Sequence, residues 1–225
     1  MSTRKSSQES IRHPRRRSRD PEATREALLR AATELFALHG YDGVRVDALA
    51  RHAGVNKALI NYYFGGKRHL YRAAIESSFR ELHGLAEELR DRSRSPSELV
   101  GRFIDGFADL AQQRRPYFPA LFLRETLSTG ELAPEAVEHV GSILTAFRDV
   151  LQRGNRQGLF RALDPAQVYL HLVGSLAFFF ATAPARDRLA RKRKLPVVSP
   201  SPDDYVAVVR DAVSRALAAQ TGEAK

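Results

Sequence analysis

The chain contains no cysteine, no tryptophan and only one methionine among its 225 residues. Without cysteine it has neither disulfide bonds nor thiolate-bound metal sites. This absence is typical of proteins in a reducing cytoplasm, and we expect that location here. At 43% hydrophobic residues, the chain has enough apolar side chains for one or two domains with a sizeable core.

Motifs of common enzymes are also missing. We find no glycine-rich phosphate loop, no nucleophile elbow, no zinc-protease helix and no cysteine nucleophile. Neither His139 nor His171 belongs to a group of His, Asp or Glu residues with metal-ligand spacing, so we expect neither a metal nor another cofactor. The sequence therefore argues against an enzyme.

A long hydrophobic run is missing as well. The most apolar stretch, residues 168–183, includes three consecutive phenylalanines but is interrupted by His171. It is shorter than the ~20 residues that a membrane-spanning helix needs. We therefore predict a buried or interface helix in this stretch, and no membrane contact.

Positive charge is in excess. The 36 lysine and arginine residues outnumber 26 acidic residues, which gives a net charge of +10 and favours a polyanionic partner. Half of this charge lies in residues 1–20, an arm too poor in apolar residues to fold alone. We expect a disordered arm that either follows DNA phosphates and the minor groove or remains a solvated tail. A second basic run, residues 186–194, is predicted to be an exposed linker, with a second nucleic-acid contact as the alternative.

Helical patterns dominate the chain. Proline occupies the expected first helical position at residues 21, 96, 134, 165 and 202, mostly after a capping side chain. Between these starts, apolar residues recur with the helical period, and no segment alternates convincingly as a strand. We predict an all-α fold with helices over residues 21–39, 46–53, 56–63, 67–92, 96–113, 116–128, 134–157, 165–183 and 202–219.

Residues 44–67, VRVDALARHAGVNKALINYYFGGK, are the most informative segment. Apolar residues at helical spacing precede Gly54, which permits a left-handed turn, and Asn56 is a suitable N-cap for the next helix. On that helix, Leu59, Ile60 and Phe64 can face inward while polar residues project outward. This arrangement is that of a helix-turn-helix DNA reader.

Residues 24–71 resemble the N-terminal domain of the TetR/AcrR (tetracycline-repressor) family of transcription regulators. The resemblance is carried by the Ala-x-x-Leu-Phe of the first helix, Gly40-Tyr41, the Ala-Gly-Val turn at 53–55, the aromatic residues 62–64, and Lys67 before Leu70. It implies a three-helix DNA-binding domain, joined by a long helix to a helical domain for effector binding and dimerisation. The expected divisions are the arm at 1–20, the DNA-binding domain at 21–82 with its motif at 45–64, and the C-terminal domain at 83–225.

The resemblance also assigns the DNA contacts. It implies that Lys57, Ala58 and Asn61 face the bases, and that the phosphates are contacted by Arg45, Tyr62, Tyr63 and Lys67. For Tyr63, packing against the first helix is an equal alternative. The chain departs from the family in having Arg45 in place of a capping threonine and Asn56 in place of serine, so no operator sequence can be transferred from a relative.

Two further predictions concern the C-terminal domain. The family dimerises through its last two long helices, which predicts interface residues Tyr169, Leu172, Leu176, Phe179, Val206, Val209 and Val213; the alternative is that this apolar helix closes an intramolecular core. An aromatic set suits an effector pocket, although the same side chains could be ordinary core: Phe103, Phe107, Phe118, Phe122 and Phe147.

Together these features predict a homodimeric repressor that binds a palindromic, double-stranded DNA operator and is released by a small apolar or aromatic effector. The alternative is a ligand-independent architectural protein that binds DNA largely without sequence preference. The helical residues beyond the DNA reader favour the ligand-responsive regulator.

Overall fold

The computed structural model describes residues 20–114, 117–128, 134–192 and 200–219. Within these ranges the chain is helical and contains no extended strand, which confirms the predicted all-α class. The predicted basic arm lies outside the described residues, apart from Asp20 at its end. The helices are α1 (Pro21–His39), α2 (Val46–Ala53), α3 (Ala58–Phe64), α4 (Lys67–Glu88), α5 (Pro96–Asp109), α6 (Phe118–Ser128), α7 (Pro134–Arg156), α8 (Pro165–Arg191) and α9 (Pro202–Leu217).

Four helix starts show the capping that the sequence predicts. Asp20, Ser95, Asp164 and Ser201 each accept a backbone N–H bond from the first turn of the helix that follows, with proline directly after the cap. Proline lacks an N–H that would otherwise remain unsatisfied at this position, and its fixed φ suits a helix. These pairs fix the starts of α1, α5, α8 and α9.

The first four helices share one core. Helix α1 packs against α2 and α4, and α3 packs against the first part of α4. Side chains from all four elements are fully buried there, at 0% exposure: Leu28, Phe36, Leu49, Ile60 and Leu70. The short helices α2 and α3 therefore take their orientation from tertiary packing, since isolated helices of this length are unstable in water.

Helix α4 belongs to two layers of the molecule. After its contacts with α1 and α3, it continues beneath the C-terminal helices and packs against α5, α6 and, most extensively, α7. Phe79 and Leu82, in its second half, are each 1% exposed. The helix ends at Glu88, a few residues before the predicted end at 92.

Helix α8 is longer than predicted. It runs to Arg191 through Pro184, so the prediction of a linker is wrong for residues 186–191, while residues 193–194 lie outside the described ranges. Proline normally interrupts a helix because it cannot donate to the preceding turn. Here the Arg186 guanidinium donates to the Phe179 carbonyl at 2.6 Å and lies 4.1 Å from the centre of the Phe179 ring. These contacts hold together the two turns that flank the proline.

Length and composition alone would allow α8 to cross a membrane. However, 44% of its most apolar window is buried inside the chain, and the core helix of a soluble protein meets the same criterion. Val168, Leu172, Leu176 and Phe180 all point into the interior. The predicted buried helix is therefore present.

Candidate DNA-binding interface

The turn between α2 and α3 is fixed by a left-handed glycine. Gly54 has φ 65° and ψ 35°, a conformation that disfavours any residue with a Cβ. The Val55 N–H bonds to the Ala50 carbonyl at 2.9 Å, and the Val55 side chain packs against the core. The predicted turn is confirmed, and it sets the angle at which α3 leaves α2.

Helix α3 begins at Ala58, two residues later than predicted. The Asn56 side chain still acts as a cap, because its Oδ1 accepts the Ala58 N–H at 2.9 Å. Ile60 is fully buried, and Leu59 and Phe64 are partly buried against the core, as predicted. The outward face of the helix consists of exposed residues: Lys57, Ala58, Asn61 and Tyr62.

Two of the basic residues predicted to contact DNA lie on either side of α2: Arg45 directly before it, and Lys57 after the turn that follows it. Arg45 is exposed at its start and, as expected from the missing threonine, provides no side-chain cap. After its end, the Lys57 ammonium lies 3.3 Å from the Asp47 carboxylate, and both side chains are about two-thirds exposed. Such an exposed pair stabilises the fold little, so it can readily be exchanged for a phosphate or a base.

The aromatic residues at the end of α3 differ in exposure. Tyr62 is 78% exposed, whereas Tyr63 is partly buried against the core, and their ring centres are 5.0 Å apart in an edge-on arrangement. The burial of Tyr63 supports the packing alternative for this residue. Tyr62 is free to lie along a phosphate strand.

Lys67 is the first residue of α4, after Gly66 at φ 125°. Its ammonium group lies 4.1 Å from the centre of the Tyr41 ring, a cation–π contact that holds the lysine at the positive end of the helix dipole. Sequence reasoning missed this role of Tyr41. It also missed Arg25 on α1, whose guanidinium lies 5.5 Å from the centre of the Phe64 ring and so stands beside α3.

The five phenylalanines predicted to line an effector pocket pack mainly against one another. Phe103, Phe107, Phe118 and Phe147 are at most 2% exposed, and Phe122 is partly buried. The ring-centre distances are 4.8 Å for Phe103–Phe147 and 5.9 Å for both Phe107–Phe118 and Phe118–Phe122. This packing supports the core alternative.

An open cleft of about 920 Å³ lies elsewhere, between the end of α1, helix α6 and the second half of α8. Leu38, Leu123 and Phe180 are among its apolar lining residues, and Arg124 and Arg188 are its charged ones. None of the five phenylalanines named above lines this cleft. Among the described residues, no group of three or more His, Asp or Glu side chains could hold a metal.

Three hydrogen bonds join α6 and the residue before it to α1 and α4. Tyr117 donates to Glu34 on α1 at 2.9 Å, and Arg124 donates to the Ala37 carbonyl at 3.2 Å. The buried Glu125 carboxylate accepts from Tyr71 on α4. Burial and this bond raise the pKa of Tyr71 well above its usual value, and the bond to Glu34 raises the pKa of Tyr117. Both tyrosines are therefore protonated donors at neutral pH.

The residues predicted at a dimer interface are buried within a single chain. Tyr169, Leu172, Leu176, Phe179, Val206, Val209 and Val213 are all at most 9% exposed. The same two helices expose different apolar side chains, namely Leu170 at 67%, Phe178 at 65% and Val208 at 63%. On α8 these lie on one stripe with His171 and Gly174, at helical spacing.

Comparison with known proteins places the two halves in one family. The sequence model described as "Bacterial regulatory proteins, tetR family" matches residues 28–74, and one described as "Tetracyclin repressor-like, C-terminal domain" matches residues 96–193. The chain is 30% identical over 175 residues to the HTH-type transcriptional repressor SCO4008 of Streptomyces coelicolor, covering 76% of this chain and 85% of that protein. It is 28% identical over 172 residues to the HTH-type transcriptional repressor NicS of Pseudomonas putida, covering 73% and 78%.

Solved structures share the fold. A TetR family transcription regulator from Marinobacter aquaeolei superposes with a TM-score of 0.66 at 15% identity, covering 88% of this chain and 97% of that one. HlyIIR, a hemolysin II transcriptional regulator, superposes with a TM-score of 0.60 at 22% identity, covering 87% and 99%. The described helices therefore follow an arrangement already seen in crystals.

Proposed function

This chain belongs to the TetR family of DNA-binding transcription regulators, and from that membership we propose that it is a repressor that binds a palindromic operator as a homodimer. The observation that carries the proposal is the outward face of α3, where Lys57, Ala58 and Asn61 are exposed beside a turn of fixed geometry. Such a helix fits the major groove, where asparagine can read adenine and lysine can read guanine.

Phosphate contacts position this helix. Arg45, Tyr62 and Lys67 flank α3 at the start of α2, the end of α3 and the start of α4. Lys67 combines its own charge with the N-terminal end of a helix of 22 residues, which favours an anion. Arg25, beside Phe64, is a further candidate. Tyr63 contributes mainly by packing.

We place the dimer interface on α8 and α9, as the family resemblance implies, but on the faces that remain exposed. Leu170, Gly174 and Phe178 form an exposed apolar stripe on α8, and Val208 is an exposed apolar residue on α9. A stripe of large exposed apolar side chains is unfavourable in a monomer and suits a two-fold contact. Pairing these helices would yield a four-helix bundle.

The rest of the chain follows from this arrangement. Residues 21–82 form the DNA-binding unit and residues 83–225 the effector and dimerisation unit, with α4 crossing the boundary. A small effector that shifts α4 or α6 would change the spacing of the two α3 helices, which must match grooves about 34–36 Å apart. The protein would act on DNA in the cytoplasm, with the arm at 1–20 adding affinity for phosphates.

Oligomeric state and salt dependence test this proposal. Phe178→Glu should convert a sedimenting dimer to a monomer and weaken operator binding, while Val137→Glu, at an exposed position on α7, should leave the dimer intact. A monomeric wild-type protein would contradict the dimer. Binding that is equal for all sequences and steeply salt-dependent would favour the architectural alternative.

A further inference from the structure

We propose that the cleft between α1, α6 and α8 binds an amphipathic anion, with an apolar body in the cleft and one carboxylate between Arg124 and Arg188. An amphipathic anion is thus the proposed chemical class of the effector. The claim that this anion regulates DNA binding rests on the proposed function as a repressor. Binding itself requires no DNA.

The lining of the cleft sets the apolar requirement. Its volume, about 920 Å³, lies within the range of sites for organic ligands of moderate size. Most of the residues around it are aliphatic or aromatic, and they come mainly from α1, α6 and α8, with further contributions from residues 111–112 after α5 and from Pro202 at the start of α9. The larger apolar side chains in the lining are Leu38, Tyr117, Leu123, Leu127 and Phe180.

The charged lining residues determine the sign of the charge that the ligand carries. Among the described residues, Arg124 and Arg188 are the charged side chains of the cleft, and no carboxylate lines it. Within the same ranges, neither guanidinium has an ion pair with an acidic side chain. Two arginines at an apolar surface suit a carboxylate, which arginine binds with strong charge-assisted hydrogen bonds. A cationic amphiphile would meet repulsion from both residues.

Arg124 connects the cleft to the DNA-binding unit. Its Nε donates to the Ala37 carbonyl in the last turns of α1, and its guanidinium lies beside Gly40, 3.1 Å from the position that a Cβ would occupy there. A carboxylate in the cleft would compete for this guanidinium and weaken its hold on α1. The effect would be to loosen the contact between α6 and α1 that steadies the DNA reader.

Tyr117 provides a second connection on the same wall. Its ring lines the cleft, and its hydroxyl donates to Glu34, which also lies 2.8 Å from His52 Nε2 on α2. An apolar body that displaces the ring would disturb this bond. Occupation of the cleft is thereby coupled to α2, the first helix of the DNA reader.

The test uses the full chain, without DNA, and two probes with apolar tails of similar length: decanoate and decyltrimethylammonium. Calorimetric titration should show that decanoate binds and that the cation binds at least about tenfold more weakly. Arg124→Gln and Arg188→Gln should each weaken decanoate binding by about tenfold, because each removes one charge-assisted contact. The control Arg148→Gln, on the exposed face of α7, should bind decanoate as the wild type does.

An added negative charge provides an independent check. Leu127 is 81% exposed at the edge of the cleft, so Leu127→Glu should fold normally, which equal thermal melting would verify. This variant should bind decanoate more weakly and the cation more tightly than the wild type. Absence of decanoate binding, equal binding of the two probes, or an unchanged affinity in both arginine variants would overturn the site.

The effect of the ligand on DNA binding is tested by a separate measurement of DNA affinity. Decanoate should lower the affinity of the wild type for its DNA, and Arg188→Gln should require about tenfold more decanoate for the same release. If decanoate binds the cleft but leaves DNA affinity unchanged, the coupling is wrong although the site stands. A protein that fails to bind specific DNA would refute the proposed function without affecting the calorimetric result.

Discussion

The Tyr117 hydroxyl and the Glu34 carboxylate lie 2.9 Å apart, and their hydrogen bond joins the residue before α6 to α1. The other carboxylate oxygen of Glu34 lies 2.8 Å from His52 Nε2 on α2. A single acidic side chain is thus in contact with both the helix-turn-helix and the edge of the cleft. The contribution of the Tyr117–Glu34 hydrogen bond to stability can be measured directly.

We predict a coupling free energy of about 0.5–1.5 kcal/mol between Tyr117 and Glu34, as for a partly buried hydrogen bond. A double-mutant cycle of Tyr117→Phe and Glu34→Gln, followed by urea unfolding, gives this value. The exposed pair Arg30–Glu26, at 3.4 Å on one face of α1, is the control and should couple by less than about 0.5 kcal/mol. Additive effects of the Tyr117 and Glu34 substitutions would contradict the bridge.

Removing the Tyr71 hydroxyl should destabilise the protein by about 1–3 kcal/mol, because it deprives the buried Glu125 carboxylate of a donor. Urea unfolding of Tyr71→Phe measures this change. Tyr62→Phe deletes the same group from a ring that is 78% exposed, and should change stability by less than about 0.5 kcal/mol. Equal effects of the two variants would show that the hydrogen bond between Tyr71 and Glu125 contributes nothing to stability.

Gly54→Ala should cost about 1–2 kcal/mol, since alanine is disfavoured at φ 65° and ψ 35°. The matched control is Gly84→Ala on the exposed face of α4, where an added Cβ meets nothing within 4 Å. That substitution should stabilise the protein by about 0.5–1 kcal/mol. Thermal or urea unfolding distinguishes the two signs, and a neutral Gly54→Ala would contradict a rigid left-handed turn.

Stability should fall when the pH drops below about 6.5, in part through His139. Burial, and then the nearby His83, lowers the pKa of His139, so the unfolded chain binds a proton that the folded chain resists. The pKa of His139 in the unfolded chain is 6.5, and the stabilisation by neutral His139 is fully present above that pH. It is lost as the pH falls towards the lowered pKa of His139 in the folded chain. Urea unfolding at several pH values should show a shallower decline for His139→Gln than for the wild type, and an equally steep decline in both would contradict this role of His139.

The two kinds of DNA contact should separate on substitution. Lys67→Ala should weaken binding to all sequences and reduce the salt slope by about 1, because it removes one phosphate contact. Asn61→Ala should leave that slope unchanged and relax base preference at one or two positions, at a cost of about 1–3 kcal/mol for the preferred base. Binding titrations over a range of salt concentrations, on matched and mismatched duplexes, decide between these outcomes.

Helix starts were predictable from the sequence because their determinants are local. The pairs Asp20-Pro21 and Ser201-Pro202 predict a cap and a first helical turn, and this prediction requires no knowledge of tertiary contacts. The end of α8 was not predictable in this way. Its continuation past Pro184 depends on Arg186 folding back onto Phe179, a contact that no pattern of hydrophobicity indicates.

The buried and exposed faces of the helices were harder to predict than the positions of the helices in the sequence. Helix α8 is apolar nearly all round, so its periodicity could not separate Leu172, which is fully buried, from Leu170, which is 67% exposed. The phenylalanine set posed the same problem, since aromatic residues serve both cores and pockets. The surface of α3 was easier, because polar Asn61 and buried Ile60 are distinct in type as well as in position.

The central claim is sequence-specific recognition by a two-fold symmetric protein, and selection of bound duplexes from a random DNA pool at about 150 mM salt tests it most directly, because non-specific attraction is already screened there. We predict enrichment of an inverted repeat that is bound at least about a thousandfold more tightly than scrambled DNA. Salt-sensitive binding with no enriched repeat would contradict the account.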